Sequence, residues 1–283
     1  MLSTLRRKLM LTRRFAQPAA LLATIALAAC AADPVAPIAN DRPSLITYGT
    51  LTTEHPEVVL VLMEEGGKPA YRCSGTLIAP TKVLTAGHCT GTPGEFSGMR
   101  IFTEANVQSG SNNYPFAGMN SVEAKSWKTH PAYTSAAFFL NDVGVITLAA
   151  PVTLKATEYG QLPGLNALDA LKPGQRSPFT AVGYGLQRIN PVKVIAARVR
   201  MLATPHLLQI NTGFTGTRSL LLSNNASTGG TCFGDSGGPN FIGHSNVIGG
   251  VTSFAINGNC AGTGGVFRLD RKDVLDFVAS QLQ

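Results

Sequence analysis

The sequence predicts an all-β fold closed by one C-terminal helix, and three observations carry that expectation. Short runs of β-branched and aliphatic residues recur along most of the chain, each ended by a turn signal, a pattern of sandwiches and barrels. Glycine (30) and proline (17) are frequent while 44% of the 283 residues are hydrophobic, which suits a turn-rich globular chain. Only the extreme C-terminus carries a helical stripe. A chain of this length builds one large domain or two of modest size.

The first segment reads as an export signal. Arg6, Arg7, Lys8, Arg13 and Arg14 precede an apolar run over 19–29 that is too short to span a bilayer as a stable helix. The run ends Leu27-Ala28-Ala29-Cys30, which resembles a bacterial lipobox in which Cys30 takes a lipid and becomes the mature N-terminus. The stretch from Met10 to Cys30 alone has the proportions of a signal peptide, so Met1 and Met10 are both candidate starts. Arg13-Arg14 raises twin-arginine export, but Phe15 follows too soon for a good match. Removing those five basic residues from the total of 23 leaves 18 against 16 acidic ones, a balance of +2. Nucleic-acid binding therefore has no electrostatic support.

Residues 31–45 are rich in alanine and proline and have no period, as in a tether or a short pro-segment. From Ile46 onward the expected strands are 58–63, 75–78, 82–85, 100–103 and 143–148, then 179–184, 193–201, 207–210, 220–223, 247–253 and 265–268. Between the two sets, 149–171 contains Pro151, Pro163 and Gly164 and reads as a crossover. At the end, Asp270 is the expected N-cap with Asp273 three residues on, and Val274, Val278 and Leu282 form an i, i+4, i+8 stripe that serves core packing.

Chemistry concentrates in Gly234-Asp235-Ser236-Gly237-Gly238-Pro239. A serine hydroxyl becomes a nucleophile when a base takes its proton and donors stabilise the oxyanion. Glycines on both sides allow a turn sharp enough to aim N–H groups at one point. A glycine-rich surface turn would look the same, so the partners decide. An α/β-hydrolase elbow needs its acid and then its histidine after the serine. Here only His244 follows Ser236, and Asp270, Asp273 and Asp276 come later still. Upstream stand His88 in Leu84-Thr85-Ala86-Gly87-His88-Cys89 and Asp142 in Asn141-Asp142-Val143-Gly144, which makes the order His, Asp, Ser.

These three segments resemble those of the trypsin/chymotrypsin-like serine protease family, and the resemblance covers about 46–283. It implies two six-stranded antiparallel β-barrels, over 46–160 and 161–283, behind the signal peptide (1–29) and the lipid-anchored tether or pro-segment (30–45). It also implies that Ser236 attacks, His88 moves the proton, Asp142 orients His88, and the N–H groups of Gly234 and Ser236 form the oxyanion hole. Four cysteines besides Cys30 allow three pairings, of which the resemblance implies Cys73–Cys89 and Cys232–Cys260. His130 is expected to be structural, and His55, His206 and His244 to face solvent. No Cys-x-x-Cys or His-x-x-x-His spacing occurs, so neither a metal nor a cofactor is expected.

By the same resemblance, Ser253-Phe254-Ala255 pairs with substrate backbone as an added strand, with Ser253 supporting Asp142. Phe254 stands where the family usually has tryptophan. Gly230 is the expected base of the specificity pocket, Gly265 its opposite wall and Ala255 a third lining residue. A buried guanidinium needs a carboxylate, and none stands there, so Leu, Met or Phe is expected at P1 ahead of Arg or Lys. Activation is expected to bring a new N-terminus to Asp235. Ile46-Thr47-Tyr48-Gly49 lies where the family's start would fall, behind Leu45 in place of arginine, and a cut there also releases the chain from Cys30. The expectation is thus an exported monomeric serine endopeptidase acting on polypeptides, an envelope lipoprotein anchored through Cys30 or secreted after release. The alternative is a protease-fold surface lipoprotein that binds without catalysis.

Overall fold

The computed structural model describes residues 48–137, 139–189 and 194–283. The expected signal peptide, tether, lipidated Cys30, Leu45 and Ile46 lie outside the described residues.

Six strands close the first barrel: β1 (Val58–Glu65), β2 (Lys68–Ala79), β3 (Lys82–Thr85), β4 (Gly98–Phe102), β5 (Ser121–Thr129) and β6 (Gly144–Leu148), in the order β1-β2-β3-β6-β5-β4. Val58 through Met63 are all buried, so β1 has core on both faces and reads as a continuous apolar run. β5 was not expected. Its residues, SVEAKSWKT, are half-buried or exposed throughout, and such a strand offers no apolar run to read.

The second barrel uses β7 (Gly174–Gly183), β8 (His206–Ile210), β9 (Ser219–Asn224), β10 (Pro239–Ile242), β11 (Ile248–Ala255) and β12 (Gly262–Arg268). They pair antiparallel as β7-β8-β9-β12-β11-β10 and return to β7. Met201–Ala203 adds to β7, and Thr50–Leu51 adds to Met201–Ala203. The chain therefore pairs with the second barrel before it enters the first. The strand expected over 193–201 is instead Val194–Ile195, paired with Arg188–Ile189, and the separate Met201–Ala203. Arg200 between them is buried and donates through Nε to the Val58 carbonyl (3.0 Å) and through Nη2 to the Thr103 carbonyl (2.8 Å), which ties the segment to the first barrel.

The C-terminal helix runs Lys272–Gln281, and its N-cap is Arg271. Asp270 does not cap it: its carboxylate is fully buried and engaged by Arg268 and by the N–H of Leu168. Val274 and Val278 are buried as expected from the stripe, while Leu282 lies past the last turn and is exposed. His130 packs its ring against Phe277 on this helix (5.1 Å between centroids), and burial pushes its pKa down. His244 is exposed, but His55 is half-buried, stacked on Phe241 and bonded through Nδ1 to Glu57 at 2.9 Å. His206 is also half-buried, its Nδ1 at 3.2 Å from the Ser223 hydroxyl.

Candidate active site

Strand register brings His88 and Asp142 together. Thr85, the last residue of β3, pairs with Gly144, the first of β6. The chain leaving β3 toward His88 thus runs beside the chain entering β6 from Asp142. The Asp142 carboxylate is fully buried and accepts from the His88 backbone N–H (2.8 Å) and from His88 Nδ1 (2.9 Å to Oδ2). Ser253 Oγ, from β11 of the other barrel, donates to Asp142 Oδ2 at 2.6 Å. With its Nδ1 held this way, the ring's other nitrogen is the one free to act as a base. Tyr133 lies close by, and burial together with the Asp142 charge pushes its pKa up to about 12.

The turn at Ser236 is clamped between the barrels. Ser74 of β2 donates its N–H to the Ser236 carbonyl (2.8 Å), and its hydroxyl to the Gly234 carbonyl (2.9 Å). Gly237 donates to the Thr252 carbonyl at 2.8 Å. Its φ of +76° suits glycine, and a Cβ there would stand 2.6 Å from the Ala86 nitrogen and the Ser74 carbonyl oxygen. Gly234 has φ +98°. Among the described residues, nothing accepts a hydrogen bond from the N–H of Gly234 or of Ser236, so both donors are available.

Ser236 and His88 line one cleft of about 470 Å³, together with Phe233, Phe254, Ala255 and Ile256. No hydrogen bond joins the Ser236 hydroxyl to the His88 ring among the described residues. Gly230 and Gly265 are not on the cleft wall. A Cβ on Gly230 would meet Asn224 at 2.6 Å from its Cβ, and the Asn224 amide donates to the Thr231 carbonyl at 2.8 Å. The space above Gly265 is occupied by the ring of Phe254. Asn224 and Phe233 were not singled out from the sequence. Phe233 had a signal, its place directly before Gly234, whereas Asn224 had none beyond lying at the end of a strand.

Asp235 is fully buried, and its carboxylate accepts from the N–H groups of Gly185 (2.7 Å) and Cys232 (2.9 Å). Burial pushes its pKa up to about 7 against those two bonds and the nearby charge of Arg72. Arg72 itself is held below the usual guanidinium value by burial, and its Nε is buried without a partner.

Disulfides join Cys73 to Cys89 and Cys232 to Cys260, with Cα separations of 6.2 and 5.3 Å. The first lies beside His88, and the second ties the segment before Ser236 to the chain between β11 and β12. Cys73, Cys89 and His88 cluster closely enough to suggest a metal site, but both sulfurs are committed to the disulfide, so no thiolate is present to ligate.

The Trypsin family profile matches residues 48–271. Brachyurin of Leptuca pugilator is 29% identical over 195 residues, 67% of this chain and 78% of its own length. A trypsin of Saccharopolyspora erythraea is 30% identical over 207 residues, covering 71% of this chain and 82% of that protein. In shape the chain is similar to the structure of HL collagenase, with a TM-score of 0.64 at 18% identity over 83% of this chain and 97% of that one.

Proposed function

The chain belongs to the trypsin family of serine proteases, and from that premise we propose that it is an active endopeptidase with Ser236 as nucleophile, His88 as base and Asp142 as orienting carboxylate. The observation that carries the proposal is the shared cleft of Ser236 and His88 with buried Asp142 bonded behind the His88 ring. Ser236 Oγ attacks the scissile carbonyl carbon while its proton passes to His88 Nε2. The carbonyl oxygen takes the negative charge and receives the free N–H groups of Gly234 and Ser236. The C–N bond then breaks, His88 returns the proton to the leaving amine, and an acyl-enzyme remains. Water, deprotonated by His88, attacks the ester carbon, the C–Oγ bond breaks, and His88 returns the proton to Ser236 Oγ. Asp142 keeps Nδ1 protonated throughout and stabilises the imidazolium. The contact between Ser236 and His88 closes in the substrate complex, as catalytic hydrogen bonds that are open in free enzymes commonly do.

The absence of a carboxylate at Gly230 and Gly265 supports apolar side chains at P1. The two disulfides support an exported protein, and the lipobox ending in Cys30 supports anchoring at a bacterial envelope. Cleavage after Leu45 would start the chain at Ile46 and bring an ammonium to Asp235. The raised pKa of that buried carboxyl supports this, because a cation beside it would restore the charged form.

A fluorophosphonate probe, which reacts quickly only with an activated serine, tests the reading. Stoichiometric labelling at Ser236, lost together with peptide hydrolysis in Ser236→Ala, is expected. Undiminished peptide hydrolysis by Ser236→Ala would sink the assignment, and an unlabelled wild-type protein would favour the purely binding alternative. N-terminal sequencing of labelled chains decides activation: a start at Ile46 supports release, and full activity in chains beginning at lipidated Cys30 excludes it.

A further inference from the structure

Beside the Ser236 turn stand two arginines that no acid of the described chain neutralises. Strand register places the first. Arg72 of β2 pairs with Leu62 of β1, and Leu62 pairs with Arg100 of β4, so the three side chains share one face of the first barrel. The next row on that face holds Ser74, Leu60 and Phe102. Ser74 clamps the turn, and the ring of Phe102 meets that of Tyr114 edge-on at 5.0 Å. Over Tyr114 lies Arg198, its guanidinium carbon 5.9 Å from the ring centre. Arg72 reaches the turn itself: a Cβ built on Gly234 would stand 3.2 Å from Arg72 Nε.

Arg100 has an acid, Glu123, opposite it in the ladder at 4.0 Å. Arg72 and Arg198 have none. Among the described residues neither guanidinium forms an ion pair. The Arg198 head makes one hydrogen bond, from Nη1 to the Ala196 carbonyl at 2.9 Å, and in both arginines Nε is buried without a partner. Burial pushes the Arg72 pKa down, and the charge of Arg198 pushes it further, as two like charges held close together must.

The Ser236 turn is held on one side by β11, through the Gly237 N–H and the Thr252 carbonyl, and on the other by β2, through Ser74. With the acyl half of a substrate laid along Ser253–Ala255, the leaving half continues toward β2 and Arg72. We propose that Arg72 and Arg198 recognise a carboxylate on that leaving half, an Asp or Glu side chain at P1′ or P2′, the first two residues after the scissile bond. The proposal rests on the serine endopeptidase reading above and adds the residues that choose its leaving group. Distance confines the choice. The Gly234 N–H receives the scissile carbonyl oxygen, and an extended residue spans about 3.3–3.6 Å, so a guanidinium beside Gly234 faces the residues that directly follow the bond. A carboxylate there supplies the anion that the described chain lacks, and the planar fork of a guanidinium suits it. A lysine at the same place would add a third cation to two that already repel.

The test uses peptides that differ only in Glu, Gln or Lys at P1′, and a second set varied at P2′. In one of the two sets wild-type kcat/KM should favour Glu over Gln by about tenfold, the scale of a charge-assisted hydrogen bond, with Lys the slowest. That ratio should fall toward one at about 1 M salt, where charges are screened beyond about 3 Å. Arg72→Gln and Arg198→Gln should each reduce the ratio, Arg72→Lys should keep part of it, and Arg72→Glu should turn the preference toward Lys. A merely structural arginine would change all three peptides alike. A wild type that cleaves the Gln peptides yet shows no Glu preference in either set overturns the proposal, and so does a preference that survives in both Gln variants. Fluorophosphonate labelling of Ser236 runs beside each assay. A wild type that neither labels nor cleaves any peptide defeats the endopeptidase reading, whereas full labelling without the Glu preference defeats the leaving-group assignment alone. Should Arg72→Gln lose its fold by circular dichroism, Arg198→Gln carries the same sign.

Discussion

Ser253 donates its hydroxyl proton to Asp142 Oδ2 at 2.6 Å, across 111 residues of sequence and from one barrel to the other. Asp142 is thereby oriented from both sides, by the His88 backbone N–H of its own barrel and by Ser253 of the second. The two barrels must dock in one arrangement for the carboxylate to be satisfied.

Ser253→Ala should therefore weaken the orientation of His88 without removing it. A hydrogen bond to a charged group contributes about 1.5–3 kcal/mol, so a kcat loss of about tenfold or more is expected, with KM little changed. Asp142→Asn should lose about 10⁴-fold, because the amide favours the wrong His88 tautomer. Steady-state kinetics on one peptide substrate check both. Equal losses in the two variants would mean that Ser253 acts on catalysis by some route other than Asp142.

Asp235 predicts a stability that falls toward neutral pH. Its folded pKa of about 7 stands above the ordinary 3.8, so the fold favours the protonated form. That contribution is fully present below about pH 4 and is lost as pH rises through about 7. The melting temperature of the uncleaved chain should drop across this window, and Asp235→Asn should flatten the drop. In chains cut after Leu45 an ammonium beside Asp235 would lower its pKa and remove the trend. A wild-type profile as flat as that of the variant would contradict the burial argument.

The Cys232–Cys260 bridge closes a separation of 28 residues that includes Ser236 and all of β11. A loop of that size carries about 3–4 kcal/mol of chain entropy in the unfolded state. Replacing both cysteines by serine should cost about that much in urea unfolding, and should reduce kcat as well, since the bridge anchors the segment that supplies Gly234. Unchanged kcat with lowered stability would confine the bridge to a structural role.

Arg268 should be among the most sensitive positions outside the cleft. Its guanidinium is fully buried and grips Asp270 through Nε (2.9 Å) and Nη2 (2.8 Å), while Nη1 reaches Asn211 and Nη2 also reaches Asp169. Arg271, Asn211 and Arg268 together hold the Asp169 carboxyl well below the usual carboxylate range. Arg268→Met leaves Asp270 buried without its cation, an arrangement that costs about 3–5 kcal/mol. Chemical denaturation checks it, and Arg268→Lys should recover part of the loss by retaining the charge.

Much of this molecule is determined by sequence alone. The apolar run from Val58 to Met63 can be satisfied only between two layers of core. The strand at Lys82–Thr85 ends where Ala86-Gly87-His88 begins, and the cysteines and the order His88, Asp142, Ser236 are visible as spacing. These are local patterns, or patterns of order, and need no coordinates. What tertiary structure decided are the meetings between distant segments. Asp270 reads as a helix cap from its neighbours, yet Arg268 and the Leu168 N–H claim it, and only the docking of the crossover segment against β12 could show that. β5 was hidden because an exposed strand carries no apolar period. Gly230 and Gly265 read as the walls of an open pocket because glycine in sequence means only a missing side chain. Whether the space beside such a glycine is open or taken by a neighbour, as Asn224 takes it at Gly230 and the Phe254 ring at Gly265, depends on strand register and on a bulge at Ser253. Those follow from the packing of three strands at once, which no single stretch of the chain encodes.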